Sequence, residues 1–116
     1  MLPTSIELND EAMELVARRF KLLSDPMRLK ILHALHSGEK TVTEIVELTG
    51  STQPNISKHL AALRNGGLVR RRSESNLAYF SIAAPFIFEL CDRVCQSIAT
   101  ELDSLQKNFS LQNQTK

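Results

Sequence analysis

Two helical patterns meet at Gly50, and that junction constrains the fold more than any other feature of the chain. "EIVELT" stops at the glycine, and "STQPNISKHLAAL" starts directly after it. Thr43 reads as the cap of the first helix and Thr52 as the cap of the second, which runs to the "NGG" stop at 65–67. On a wheel turning about 100° per residue, Ile56, Leu60 and Leu63 fall together as a core-facing stripe. Two helices joined by three or four residues around a glycine form a helix-turn-helix.

The flanking segments complete the pattern. Asn9 or Asp10 can cap a first helix with apolar residues at Met13, Val16, Phe20 and Leu23. "SDP" at 24–26 ends it and opens a second, with Asp25 as cap and Pro26 in the first turn. This helix is expected to bury Met27, Ile31, Leu32 and Leu35 and to end at Gly38. After "NGG" the period changes. "LVRRR" and "LAYFSI" are β-like runs separated by "SESN", and read as a hairpin. Leu77, Tyr79, Phe80 and Ile82 are expected to pack that hairpin onto the domain. Pro85 opens a last helix with a stripe of Ile87, Leu90, Cys91, Val94, Ile98, Leu102 and Leu105.

A helix-turn-helix followed directly by a hairpin is a winged helix. The expectation is therefore a mainly α chain with a small β-hairpin: four helices, the hairpin and a long fifth helix. It is read as one domain over 1–116, with a helix-turn-helix at 43–66 and a wing at 68–82. Dimerisation helices are expected at 10–24 and 85–107, and a frayed polar tail at 108–116. A hydrophobic content of 42% suffices for one core, and with no Trp that core must be mostly aliphatic.

Charge is distributed unevenly. Residues 51–73 carry Lys58, Arg64, Arg70, Arg71 and Arg72 and no acid, a local +5; the whole chain is +1, so the remainder sums to −4. A basic segment in an otherwise acidic chain is expected of an anion-binding face. The first ten residues hold no apolar block of the kind a secretory signal needs, and the uncharged run at 77–88 is too short to span a bilayer. Two cysteines four residues apart do not make a disulfide framework, so a cytoplasmic location is expected. No nucleophile–base constellation, glycine-rich phosphate loop or H-E-x-x-H pattern is present, which argues against an enzyme.

The outward side of the Thr52-capped helix identifies the anion. Pro54, Lys58, Ala61 and Asn65 lie opposite the apolar stripe, flanked by Asn55, Ser57 and Ala62. Short hydrogen-bonding side chains and one cation near a helix N-terminus can reach base edges in a DNA major groove, and small alanines let the helix pass close to the backbone. An ordinary surface helix would carry more Glu and Lys. Gln53 sits in the first turn and can swing outward, while Arg64 on a flank suits a phosphate better than a base. His59 lies nearer the core edge and fits a packed histidine better than a base reader, though it stays among the candidates. In the hairpin, Arg70 and Arg72 share one face and Arg71 the other. A tip with Ser73, Ser75 and Asn76 can lie along the backbone or enter a minor groove. Edge-strand protection alone does not call for three successive arginines.

"LLSDPMRLKILHAL", "STQPNISKHLAALRNGGLVRRR" and "AYFSI" resemble the ArsR/SmtB family of bacterial winged-helix repressors, over roughly residues 20–82 and more loosely through the last helix. The resemblance implies a homodimer built on the first and last helices, bound to a double-stranded DNA operator and often released by a metal ion, a metalloid or a redox signal. The apolar stripes of those two helices support the dimer independently, since a small domain cannot cover both. The chain departs from the family at the sensing sites. The Cys-x-Cys box of many metal sensors is replaced by "TVTEIVE", and the positions of the zinc ligands along the last helix hold Ala84, Phe86, Ser97 and Thr100.

The only thiols are Cys91 and Cys95, one helical turn apart. They can bind As(III) or another thiophilic ion, with two further ligands from a second subunit or an outside thiol. They can equally be small packed hydrophobes. His33 and His36 lack further ligands nearby and read as surface histidines. A repressor with no metal effector, and a winged-helix module for protein interaction, stand as alternatives; the second predicts a reading helix without base-capable residues, unlike this one.

Overall fold

A computed structural model of the protein describes residues 9–114, and side chains over 9–107. Two compact units are present, Met1–Ala84 and Pro85–Lys116.

The first unit contains α1 (Asp10–Leu23), α2 (Pro26–Leu35), β1 (Lys40–Thr41), α3 (Val42–Thr49), α4 (Gln53–Asn65), β2 (Val69–Glu74) and β3 (Leu77–Ile82). The local signals act largely as read. The Asn9 side chain caps α1, accepting from the amide of Ala12. Asp25 caps α2 through the amides of Met27 and Arg28 at 2.8 and 3.1 Å. Gly50 ends α3 with φ 73°, a left-handed conformation that glycine adopts without steric cost. Three residues later α4 begins, so the turn is as short as the sequence implies.

The cap of α3 is Thr41 rather than Thr43. Its hydroxyl accepts from the Glu44 amide, and the Glu44 carboxylate accepts from the Thr41 amide at 3.1 Å. This reciprocal box needs Glu or Gln three residues after the cap. Thr41 has Glu44 there, whereas Thr43 has Val46. The helix-turn-helix thus spans 42–65.

Packing among α2, α3 and α4 encloses an aliphatic core of Ile31, Leu32, Leu35, Ile45, Ile56, Leu60 and Leu63, each at most 2% exposed. Full burial of such a side chain stabilises by about 1.5–3 kcal/mol. Met27 is only half-buried. α2 ends at Leu35, ahead of Gly38. Gly66, just after α4, stands close to α1: a Cβ there would lie 2.1 Å from Cδ1 of Leu22, so that methyl group would have to shift.

The sheet has three strands in the order β1-β3-β2, all antiparallel. β1 is a strand beyond the expected hairpin, and its two residues are too few to show a periodicity. β2 and β3 are joined by a two-residue turn in which Ser75 and Asn76 have φ of 50° and 66°. Positive φ at both positions is the type I′ geometry that matches strand twist, and it lets β2 run to Glu74. Phe80 is buried and Tyr79 and Ile82 half-buried, as expected of residues seating the wing, but Leu77 at the tip is 51% exposed.

No residue of α1 is buried; Met13, Leu15, Val16 and Phe20 are exposed. The second unit is α5 (Phe86–Gln114). Ile87 is buried, Leu90 and Cys91 are half-buried, and Val94, Ile98, Leu102 and Leu105 are at least half exposed. α5 continues through Gln114, within the 108–116 stretch expected as a frayed polar tail. Residues 115–116 lie outside the described residues.

Candidate nucleic-acid interface

Thr52 starts α4 by accepting from the amide of Asn55 at 3.3 Å, and Pro54 occupies the first turn. With Ile56, Leu60 and Leu63 locked inward, Gln53, Pro54, Ser57, Lys58, Ala61, Arg64 and Asn65 are exposed. Among the described residues α4 bears no acid, and Lys58 and Arg64 enter no ion pair. The first two turns therefore present an amide, a hydroxyl and an ammonium to solvent beside a helix N-terminus, a combination suited to base edges and phosphate.

Asn55 is half-buried, and its Nδ2 donates to Oγ of Ser51 at 2.9 Å. That bond holds the amide against the turn. His59 is the candidate that the fold turns inward: it is 7% exposed, and its Nδ1 accepts from Nε of Arg28 at 3.1 Å. It is a packed, hydrogen-bonded histidine. Sequence reasoning missed Arg28, since nothing local links a residue in the first turn of α2 to one 31 positions away.

In the wing, the three arginines take different roles. Arg70 is exposed and in no ion pair among the described residues. Arg71 is exposed and donates from Nη1 to Oγ of Ser73 at 3.1 Å. Arg72 is engaged by carboxylates. Its Nε donates to Oε2 of Glu39 at 2.9 Å, its Nη2 to Oε1 of Glu39, and its Nη1 to Glu74, and its guanidinium lies 4.6 Å from the centroid of the Tyr79 ring. The hydrogen bonds from Arg72 hold the Glu39 carboxyl below the usual carboxylate range, and Glu39 and Glu74 raise Arg72 in turn. Ser75 and Asn76 form the exposed tip.

Cys91 is half-buried and Cys95 exposed. Burial, then the nearby Asp92 carboxylate and Cys95, push the Cys91 thiol up, which lowers its thiolate fraction. Among the described residues no three or more His, Cys, Asp or Glu side chains gather where they could hold a metal ion, and no helix is long and apolar enough to cross a membrane.

A short-turned helix pair with an exposed polar reading helix, followed by a hairpin bearing arginines, defines a winged helix-turn-helix DNA-binding domain. Residues 25–71 match the family described as bacterial regulatory protein, arsR family. The chain is 39% identical over 74 residues to a probable mercury resistance operon repressor of Streptomyces lividans, a match covering 64% of this chain and 59% of that protein. It thus spans about three fifths of that relative's length. The crystal structure of Rv0081 from Mycobacterium tuberculosis superposes with a TM-score of 0.73 at 33% identity, over 83% of this chain and 97% of that one. A homodimeric winged helix-turn-helix DNA-binding domain from Mycobacterium bovis gives 0.69 at 34% identity, over 86% and 92% of the two chains. The chain belongs to the ArsR family, whose members are DNA-binding transcriptional regulators rather than enzymes.

Proposed function

We propose that the protein is a cytoplasmic homodimeric repressor that binds a near-palindromic operator. Gln53, Asn55, Ser57 and Lys58 read bases, Arg64, Arg70 and Arg71 hold phosphates, and the Ser75–Asn76 tip follows the groove edge. The observation that carries this is the acid-free, exposed first half of α4 set against its buried Ile56, Leu60 and Leu63. The apolar residues left exposed on α1 and α5 support pairing of two copies, as does the homodimeric relative from Mycobacterium bovis. Two-fold pairing sets two reading helices about one DNA turn, roughly 34 Å, apart. A gel shift on the chain's own promoter at several salt concentrations tests the proposal. A steep loss of affinity with salt and a protected near-palindrome are expected. Lys58→Ala should cost about 1–3 kcal/mol of specific binding. Undiminished operator affinity in that variant would overturn the role of α4.

An effector reading rests on the thiols. Cys91 and Cys95 stand one turn apart with Cys95 open to solvent, and the Streptomyces relative is named for mercury resistance. Two copies would bring four thiols, enough for Hg(II), As(III), Cd(II) or Zn(II). Operator release titrated with each ion checks this, and a Cys91→Ser, Cys95→Ser double variant that responds like the parent would leave a repressor without a thiol effector.

A further inference from the structure

We infer that Arg72 is a positioning residue for operator binding rather than a DNA contact, and that with Glu39 it forms a clamp fixing the wing relative to the reading helix. The inference rests on the DNA-binding reading above.

The register places the clamp across the whole sheet. Arg72 of β2 pairs with Tyr79 of β3, and Tyr79 pairs with Thr41 of β1. These three residues form one row on one face, because directly opposed residues of antiparallel strands share a face. Glu39 directly precedes β1, the far edge strand, and its carboxylate accepts from Arg72. The Arg72 side chain extends from one edge strand over the Tyr79 ring to a carboxylate at the other edge. Only two residue pairs join β1 to β3 through the backbone, Lys40 with Phe80 and Thr41 with Tyr79, so a side-chain tie across them adds materially to how the hairpin is held.

What the clamp reaches is as important as what it spans. Thr41, at the end of β1, is the residue that caps α3. A bond from β2 to Glu39 therefore links the wing to the start of the helix-turn-helix. Wing and reading helix must contact DNA at the same time, so their separation affects affinity even when neither contact surface changes.

The charge pattern separates Arg72 from its neighbours. Its guanidinium has five N–H groups, and bonds to two carboxylates occupy three nitrogens. A phosphate seeking Arg72 would have to displace both and then face their negative charge. Arg70 and Arg64 carry no such obstacle. Isolated exposed ion pairs contribute little, but a two-pronged Arg–carboxylate pair stacked on an aromatic ring is the geometry that does hold position.

The test is a double-mutant cycle in the full chain. Arg72→Gln and Glu39→Gln should each weaken operator binding by about three- to tenfold, and the double variant should be no weaker than either single one, because both remove the same contact. The salt dependence should match the parent in all three, whereas Arg70→Ala and Arg71→Ala should each reduce the salt slope by about one. In the free protein, amide hydrogen exchange in β2 should quicken in both clamp variants. If Glu39→Gln instead tightens binding and Arg72→Gln lowers the salt slope by about one, Arg72 is a phosphate ligand held back by its carboxylates and the clamp is refuted. Additive losses, or unchanged exchange in β2, would refute it as well. If Lys58→Ala, Arg70→Ala and Arg71→Ala all leave DNA binding intact, the DNA-binding reading fails, while exchange in the free protein still decides whether the clamp exists.

Discussion

Nε of Arg28, in the first turn of α2, donates to Nδ1 of His59, in the middle of α4, at 3.1 Å. A guanidinium only donates, so Nδ1 must offer a lone pair and the ring proton sits on Nε2. Asp25 caps the same turn of α2, its carboxylate accepting from the amides of Met27 and Arg28. The reading helix is therefore oriented by a polar bond from α2 as well as by its apolar stripe.

His59→Ala should consequently behave as a stability variant. Loss of a largely buried ring and of the acceptor for Arg28 is expected to cost about 1–3 kcal/mol, read from denaturant unfolding. Preference among operator sequences should stay as in the parent. A variant of full stability with altered base preference would return His59 to the reading surface.

Asn55 is expected to behave in the opposite way. Its side chain is anchored to Ser51, and Asn55→Ala should weaken specific binding by about 1–3 kcal/mol with little change in folding stability. Ser51→Ala removes only the anchor and should cost less. The pair should be non-additive, because they share one bond. Competition binding against single-base operator variants separates the two effects: Asn55→Ala should flatten preference at one position, and Ser51→Ala should not.

Much of this architecture is legible in the residue order. Helix caps, the glycine at 50 and the switch from a helical to an alternating period are local signals, and a one-dimensional reading detects them. Two things escape it for physical reasons. β1 is too short to carry a pattern and exists only because β3 is there to pair with it. Arg28 and Glu39 acquire their roles through partners 31 and 33 residues away. The cap of α3 is a different case: either threonine satisfies the cap preference, and the local signal that decides between them is Glu44, three residues after Thr41. The outward face of α4 is periodic and so largely readable. Which of three adjacent arginines remains available is not, since that depends on tertiary neighbours.

Acid should destabilise the fold through specific carboxylates. Hydrogen bonds lower Asp25, chiefly from the Arg28 amide, Glu39, chiefly from the Arg72 side chain, and Glu44, chiefly from the Thr41 amide, from ordinary values of 3.8, 4.5 and 4.5. The folded chain thus binds these protons less tightly than the unfolded one. Their stabilisation is fully present above the ordinary carboxylate range and is lost as the pH falls through that range toward the lowered values. Melting temperature should be nearly flat with respect to these groups above about pH 6 and drop below about pH 4.5. Glu44→Gln and Asp25→Asn should each remove part of that drop; an identical acid profile in both would contradict the assignment.

Association should depend on the uncovered helix faces. Phe20 is 56% and Ile98 50% exposed in the single chain. If two copies cover them, Phe20→Glu or Ile98→Glu should raise the dimer dissociation constant by at least about tenfold, given about 1.5–3 kcal/mol per buried side chain of this size. Sedimentation velocity over a concentration series reads this directly. Unchanged association in both variants would place the interface elsewhere.

The 29 residues of α5 extend for about 43 Å. A lone helix has marginal order in water, and the outer turns of this one leave Val94, Ile98, Leu102 and Leu105 uncovered. Their helicity is then on loan from whatever shields them, so for this stretch folding and assembly are a single equilibrium. Dilution would dissolve both together and open the same turns to proteases. The cellular dose of the protein would then govern how long each molecule survives as well as how many stand assembled.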